Sequence, residues 1–256
     1  MGRIKFATWN VGGCILGKSN QADGKPNVNH YIEAIAANDP DIICLQEALQ
    51  YLPLGNKNGQ SDEIASALNY PYVATCPISL SHLQVDKPSC LSLAVISKFP
   101  ILAHSCKEFP NPNLRIKYNE EEWWQTHDKG FMICEIDSPC GILMVMNAHL
   151  FPLHHFSTDI LDFRVEPVWK VLNQKLIKLA GKGGFLAGID LNTPDYQTVL
   201  KPSLQFMVAS NANMISTPKN IQQDYLLCSH DFACDEVVHI NAGSDHYLCM
   251  MTIEKE

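Results

Sequence analysis

An α/β fold built on mixed β-sheet is the class this sequence predicts, and three observations point to it. Apolar runs of strand length recur along the chain, while helical periodicity covers only a few segments. Two of those runs, Phe131 to Ile136 and Ile142 to Ala148, flank Ser138-Pro139-Cys140-Gly141, a hairpin turn that a purely parallel sheet does not use. Five runs meet a carboxylate, amide or imidazole at a strand mouth: Ile4 to Asn10, Ile42 to Glu47, Leu143 to His149, Phe185 to Asn192, and Ser244-Asp245-His246 feeding the last strand. Strand mouths furnished in this way read as one site for charge chemistry.

The elements follow in order. Ile4 to Asn10 is a first strand, broken at Gly12-Gly13, and Asn29 to Asn38 a helix with Ile32, Ile35 and Ala36 on its apolar face, stopped by Asp39-Pro40. Asp41 to Glu47 is nearly all apolar, as a strand buried on both faces must be. Leu52 to Gln60 reads as a loop, Asp62 to Leu68 as a short helix, and Tyr72 to Cys76 and Leu91 to Ser97 as strands. From Phe109 to Lys129, through Glu120-Glu121-Glu122 and Trp123-Trp124, the pattern dissolves into a long surface loop. After the hairpin, helical periodicity runs from about Asp159 to Leu179, with Pro167 marking either a kink or the true start. Phe185 to Ile189 is a strand, Pro194 to Leu200 a helical turn, and Asp224 to Cys228 and Cys234 to Ile240 two strands before the final run Tyr247 to Ile253.

Size and composition fit a single domain over residues 1–256, with no linker and no internal repeat. No apolar run reaches the roughly 18 residues of a membrane span, and the start passes directly into a strand pattern, so a soluble, non-secreted protein is expected, without stable membrane insertion. The ten cysteines include no Cys-x-x-Cys pair and mostly sit in apolar runs; they are expected to be buried free thiols, which places the protein in a reducing cytoplasm. A net charge of −8 argues against coating nucleic acid by bulk attraction, yet leaves room for a local basic groove. Clustered carboxylates favour a divalent cation.

Six fragments resemble motifs of the endonuclease/exonuclease/phosphatase superfamily, and in its order: Thr8-Trp9-Asn10, Leu45-Gln46-Glu47, Asn147-Ala148-His149-Leu150, Gly188-Ile189-Asp190-Leu191-Asn192, Gln223-Asp224-Tyr225-Leu226 and Ser244-Asp245-His246. The resemblance covers nearly the whole chain and implies a four-layered α/β sandwich, two mixed sheets packed face to face with helices outside. Two departures stand out: Ile189 separates Gly188 from Asp190, which could alter the local turn, and Gln223 replaces an apolar residue.

Phosphodiester hydrolysis needs a cation, a positioned water and a group that carries protons. The resemblance assigns the cation to Glu47, with Asn10 and Asp245 beside it; such hard oxygen donors suit Mg²⁺, or Mn²⁺. The resemblance allows His246, paired with Asp224, to act either as base or as phosphate-stabilising acid, with Asp190 the rival for positioning or deprotonating the attacking water; His149 and Asn192 are expected to stabilise phosphate oxygens, and Asn147 likewise. Trp124 could stack on a substrate ring, although a packed loop anchor is the plainer reading of Trp123-Trp124. His127-Asp128-Lys129-Gly130 puts a cation near the phosphate or simply enters a strand, and His154-His155 is a substrate-loop pair or nothing. The function expected is a Mg²⁺-dependent phosphodiesterase acting on nucleic acid, by endonuclease or end-processing action; the alternative is a phosphatase or phospholipase-like hydrolase of a small phosphoester or lipid head group. Asp224-Tyr225-Leu226 favours the first, since inositol-polyphosphate phosphatases carry a Trp-Cys-Asp-Arg-type stretch there.

Overall fold

The computed structural model describes residues 2–16, 25–54, 58–81, 83, 87–117 and 122–255. In chain order the elements are β1 (Arg3–Asn10), α1 (Val28–Asn38), β2 (Ile42–Tyr51), α2 (Gln60–Leu68), β3 (Tyr72–Leu80), β4 (Ser89–Ser97), β5 (Ile101–Glu108), β6 (Arg115–Lys117), β7 (Trp123–Gln125), β8 (Gly130–Ser138) and β9 (Gly141–His149). Then come α3 (Glu166–Ala180), β10 (Phe185–Asp190), α4 (Tyr196–Val199), β11 (Met207–Ala209), β12 (Asp224–Ser229), β13 (Phe232–Ile240) and β14 (Leu248–Lys255).

The strands form two six-stranded sheets, ordered β13-β14-β1-β2-β4-β3 and β11-β12-β10-β9-β8-β5. Each is mixed: β1 runs parallel to β2 in the first and β9 parallel to β10 in the second, with antiparallel pairs around them. Strand periodicity explains the layering. In β1, Ile4 and Phe6 point between the sheets to meet Val145, Leu186 and Leu226, while Ala7 and Trp9 point outward against Tyr31 and Ile35 of α1. On the far side α3 buries Val168, Leu172 and Leu176 against Met146 and Ala187. The result is helix, sheet, sheet, helix.

The sheets approach closely where Gly188 of β10 faces Thr8 of β1. A Cβ at Gly188 would lie 2.6 Å from the Thr8 Cβ and 3.0 Å from that of Cys44, so only glycine fits. The extra residue between Gly188 and Asp190 therefore leaves no altered turn: both belong to the regular strand β10, with Gly188 at the sheet contact and Asp190 at the mouth.

Several expectations change. The segment from Phe109 to Lys129 is not all loop, since β6 and β7 pair as a small antiparallel hairpin; Glu120 and Glu121 lie outside the described residues, as do residues 55–57 of the expected 52–60 loop. Helix α3 begins at Glu166 with Pro167 in its first turn, where a missing N–H costs nothing, and Leu161 ahead of it is 75% exposed. Strands β5 and β11 were not expected: β5 is exposed along nearly its whole length and turns polar after Ile101-Leu102-Ala103, and β11 spans only three residues. The expectation of free thiols fails for one pair: Cys76 of β3 and Cys106 of β5 form a disulfide between edge strands of opposite sheets. Thiols thirty residues apart gave no sequence sign of meeting. Eight other cysteines are free, all buried except the half-buried Cys234. Among the described residues, no helix is long and apolar enough to cross a membrane.

Candidate active site

Strand register brings the polar ends together. On β10, Asp190 stands beside His149 of β9 on one side and Asp224 of β12 on the other. Facing them from the other sheet, Asn10 ends β1 alongside Gln46 of β2. The ladder between β2 and β4 is irregular between Leu45 and Ala48, and there Glu47 takes φ +55°. A bulge of this kind re-aims a side chain, and it turns Glu47 toward the same cleft. Left-handed backbone at a non-glycine residue costs on the order of 1–2 kcal/mol and gathers at functional sites; Asn192, at φ +55°, is a second case in this cleft. His246 lies on the loop before β14, held from below by the Trp9 indole, which donates to its carbonyl at 3.0 Å.

The central group is Asp190, wholly buried. Its Oδ2 accepts the Asn10 amide at 2.8 Å and lies 3.4 Å from His149 Nε2 and 4.0 Å from His246 Nε2. Its Oδ1 accepts the Asn192 backbone N–H at 3.0 Å. Asp224 Oδ2 is 2.8 Å from His246 Nδ1 and accepts the Ser216 hydroxyl at 2.7 Å, while Asp224 Oδ1 is buried with no hydrogen-bond partner among the described residues. Lys129, just ahead of β8, reaches in with Nζ 3.4 Å from Glu47 Oε1 and 3.0 Å from His149 Nε2.

These contacts set the charges. Burial lifts the Asp190 carboxyl well above the usual carboxylate range; His246 opposes this and Asp224 adds to it. Burial also pulls His246 down, but the carboxylates of Asp224 and Asp190 outweigh it and hold the imidazole charged far above its ordinary range. A protonated imidazole and a proton-hungry carboxylate thus face each other across 4.0 Å, an arrangement fit to move protons at one bound group.

Two sets of donors meet the chemical demands of a cation. Asp190, Asp224 and His246 each offer a ligand atom within 4.8 Å of the others, and the orphan oxygen of Asp224 favours a cation there. The charge on His246 works against it, because an imidazolium has no lone pair to give. The second set, Glu47, Asp245 and Asn10, consists of oxygen donors lining the cleft. Asn10 Oδ1 already accepts the Gly12 N–H at 3.0 Å, which fixes the amide's orientation. Hard donors of this kind match an alkaline-earth-type ion.

The structure thus brings Asn10, Glu47, Trp124, His149, Asp190, Asn192, Asp245 and His246 around one cleft of about 120 Å³, with Asp224 directly behind His246. Trp124 serves as wall and anchor at once, its ring 5.2 Å from that of His155 and 5.9 Å from that of Phe156. Asn147 is a correction. It is fully buried between the sheets, its Nδ2 donating to the carbonyls of Leu45 and Ala94 and its Oδ1 accepting from Gln46 Nε2, so no part of its amide faces a substrate. Its position in β9, two residues before His149, puts it on the same face of the strand but one pleat deeper. Lys129, His127 and His155 also line the cleft. The hairpin expected from 131–136 and 142–148 already implied a return at this point, and the pairing of Gly130 with His149 carries it out, bringing the 127–130 stretch beside the site.

A family model described as "Endonuclease/Exonuclease/phosphatase family" matches residues 7–246. No curated protein matches the chain. Among solved structures, the human Nocturnin catalytic domain with bound sulfate is 16% identical with a TM-score of 0.69, the alignment covering 99% of this chain and 94% of that one. An endonuclease/exonuclease/phosphatase protein from Beutenbergia cavernae is 15% identical with a TM-score of 0.68, covering 99% of this chain and 72% of that one. The mannosyl-6-phosphatase Bt3783 of Bacteroides thetaiotaomicron is 14% identical with a TM-score of 0.58, covering 98% of both chains.

Proposed function

We propose, from the premise that this chain belongs to the endonuclease/exonuclease/phosphatase family and is one of its metal-dependent phosphoesterases, that it hydrolyses phosphodiesters of nucleic acid with Mg²⁺ as its metal. The observation that carries this reading is the lining of the cleft. In a chain of net charge −8, the carboxylates are faced by Lys129 and by His127, His149 and His155, with the Trp124 ring alongside. Burial first, and then the charges of Lys219 and Lys129, disfavour the charged form of His155. Lys129 and the charged His246, with His127 and His155 held toward their neutral, hydrogen-bonding form and an aromatic wall alongside, suit a phosphate bearing a stackable neighbour.

Glu47, with Asn10 and Asp245, would hold the metal, which when bound neutralises charge on the phosphate and polarises it. The protein's own groups divide the rest. Asn10 and the Asn192 backbone fix Asp190 so that its carboxylate can accept a proton from an attacking water. His246, kept charged by Asp224, and Lys129 donate to phosphate oxygens or to the departing oxygen. His149 stands between Asp190 and Glu47 and can donate to the same phosphate.

A second reading, hydrolysis of a small phosphomonoester, is favoured by the cleft's volume, about 120 Å³, which by itself admits little beyond a phosphoryl group and waters of roughly 30 Å³ each. The mannosyl-6-phosphatase likeness points the same way. Turnover measured with Mg²⁺, Mn²⁺ or chelator on single-stranded and duplex DNA, RNA, sugar phosphates, inositol phosphates and sphingomyelin decides. Cleavage of nucleic acid supports the first reading; activity confined to monoesters or lipid overturns it.

A further inference from the structure

Cys76 and Cys106 tie the two sheets together along one edge. β3 is the end strand of its sheet and β5 the end strand of the other, and the bond closes a span of 30 residues between them. Each strand then continues toward the cleft. Two residues past Cys76, Ile78 lies against Gly130: a Cβ there would stand 3.0 Å from Ile78 Cδ1 and 2.6 Å from the Lys107 carbonyl oxygen. Past Cys106, Glu108 pairs with Gly130, and the Phe109 N–H donates to the Lys129 carbonyl at 2.8 Å. The two strands joined by the bond therefore hold the backbone that carries Lys129 to Glu47 and His149, and Ile78 and Gly130 line one narrow gap with these three residues. The ladder between β3 and β4 slips between Pro77 and Ser79, so Ile78 is out of register with β4 and leans on the tie two residues earlier.

We propose that the bond between Cys76 and Cys106 is a reversible thiol–disulfide site, opened by a dithiol reductant and closed by an external disulfide, and that its state sets how firmly Lys129 is seated in the cleft. The proposal holds whichever phosphoester is the substrate. Access favours exchange: Cys76 is 1% exposed, but Cys106 stands on the exposed strand β5, where a thiolate can reach its sulfur, and exposed disulfides are the labile ones. The attacking thiolate bonds to Cys106 Sγ as the bond to Cys76 breaks, and Cys76 leaves with the electron pair and takes a proton. The reductant's second thiolate then displaces Cys106, which is protonated in turn. Two electrons and two protons have then passed to the protein, and the dithiol ends as a cyclic disulfide. Closure is the reverse, the external disulfide taking up the electrons and leaving as two thiols. Once the bond is open, β3 keeps β4 as its ladder neighbour and β5 keeps β8, and Ile78 and Phe109 hold the backbone of Lys129 and Gly130 less tightly.

The test uses the whole chain, oxidised with glutathione disulfide or reduced with dithiothreitol. Titratable thiols in the denatured protein should rise from eight to ten on reduction. Reduction should lower Tm by at least about 5 °C and speed amide hydrogen exchange over residues 126–132 by at least about tenfold. Cys106→Ser, a change on an exposed strand, and independently Cys76→Ala should behave like the reduced wild type under both conditions. Bis(p-nitrophenyl) phosphate with Mg²⁺ supplies the activity readout: reduction should slow its cleavage by the wild type at least about threefold and leave the rate of Cys106→Ser unmoved. A thiol count identical in the two states, or equal melting and exchange, overturns the site; equal cleavage rates with altered exchange overturn its hold on catalysis. Should the diester not be cleaved at all, the phosphodiesterase reading fails on its own, and thiol count, melting and exchange still decide this one.

Discussion

The amide of Asn10 donates to the carboxylate of Asp190 across 2.8 Å, and in doing so joins the end of a strand in one sheet to the end of a strand in the other. A hydrogen bond to a charged group is worth about 1.5–3 kcal/mol. Asn10→Ala is therefore expected to lower kcat roughly tenfold to a hundredfold, with the protein still folded by circular dichroism. An unchanged kcat would mean that Asp190 needs no orientation from this side.

Asp190→Asn and His246→Ala remove the two groups poised for proton movement. Each should reduce turnover by roughly a hundredfold to ten-thousandfold, read as initial rate on the best phosphoester. Near-normal turnover in both variants would remove the catalytic reading altogether.

The metal prediction separates the two donor sets. Glu47→Gln should raise the Mg²⁺ concentration for half-maximal activity by at least about tenfold, since even outer-shell partners are worth roughly that much in metal affinity. Asp224→Asn should lower kcat while leaving that concentration nearly unchanged. The reverse pattern would move the cation to the trio of Asp190, Asp224 and His246. Chelation should abolish activity in either case.

For Asn147 the expectation is loss of stability. Asn147→Ala strands the carbonyls of Leu45 and Ala94 and the Gln46 amide between the sheets, at a cost on the order of 3 kcal/mol. Thermal or urea unfolding measures it. KM of the fraction that folds should match the wild type, an outcome that substrate contact by Asn147 would not give.

Acid should loosen the turn at 153–156, whose His155 and Phe156 pack against the Trp124 ring. His154 is pushed down to about 4, by burial first and then by the charges of His155 and Lys219. A histidine that binds its proton less readily when folded stabilises the protein fully above its unfolded value of about 6.5, and that contribution disappears as pH falls from there toward the folded value. The side chain is about half exposed, so the loss is on the order of 1 kcal/mol after solvent screening. The Tm of wild type should fall more between pH 7 and pH 4.5 than that of His154→Gln.

Much of this site was legible in the sequence because strand ends announce themselves: an apolar run that stops at Glu47, His149 or Asp190 says both where the strand ends and what it presents. Residues whose role depends on three-dimensional return were not legible. Asn147 sits in a motif with His149, yet the depth of one pleat turns it from ligand group to internal strut. Lys129 belongs to a stretch with no periodicity, so the sequence left it between a cation near the phosphate and a plain strand entry, and the pairing of Gly130 with His149 at the mouth of the expected hairpin sets it in the site. Edge strands were lost for a related reason: β5, exposed on nearly every residue, has no apolar alternation to betray it, and with it went the partner of Cys76.

Gly188 and Thr8 meet where the two sheets approach closely, a few residues below the cleft. Because Asn10 and Glu47 arrive from one sheet and His149 and Asp190 from the other, the distance across that waist calibrates the jaws above it. A methyl group wedged there by Gly188→Ala would spread catalytic partners that it never touches. Conversely, any ligand that grips both jaws must draw its affinity from the intact sandwich, and will delay melting of the whole molecule and not of one loop.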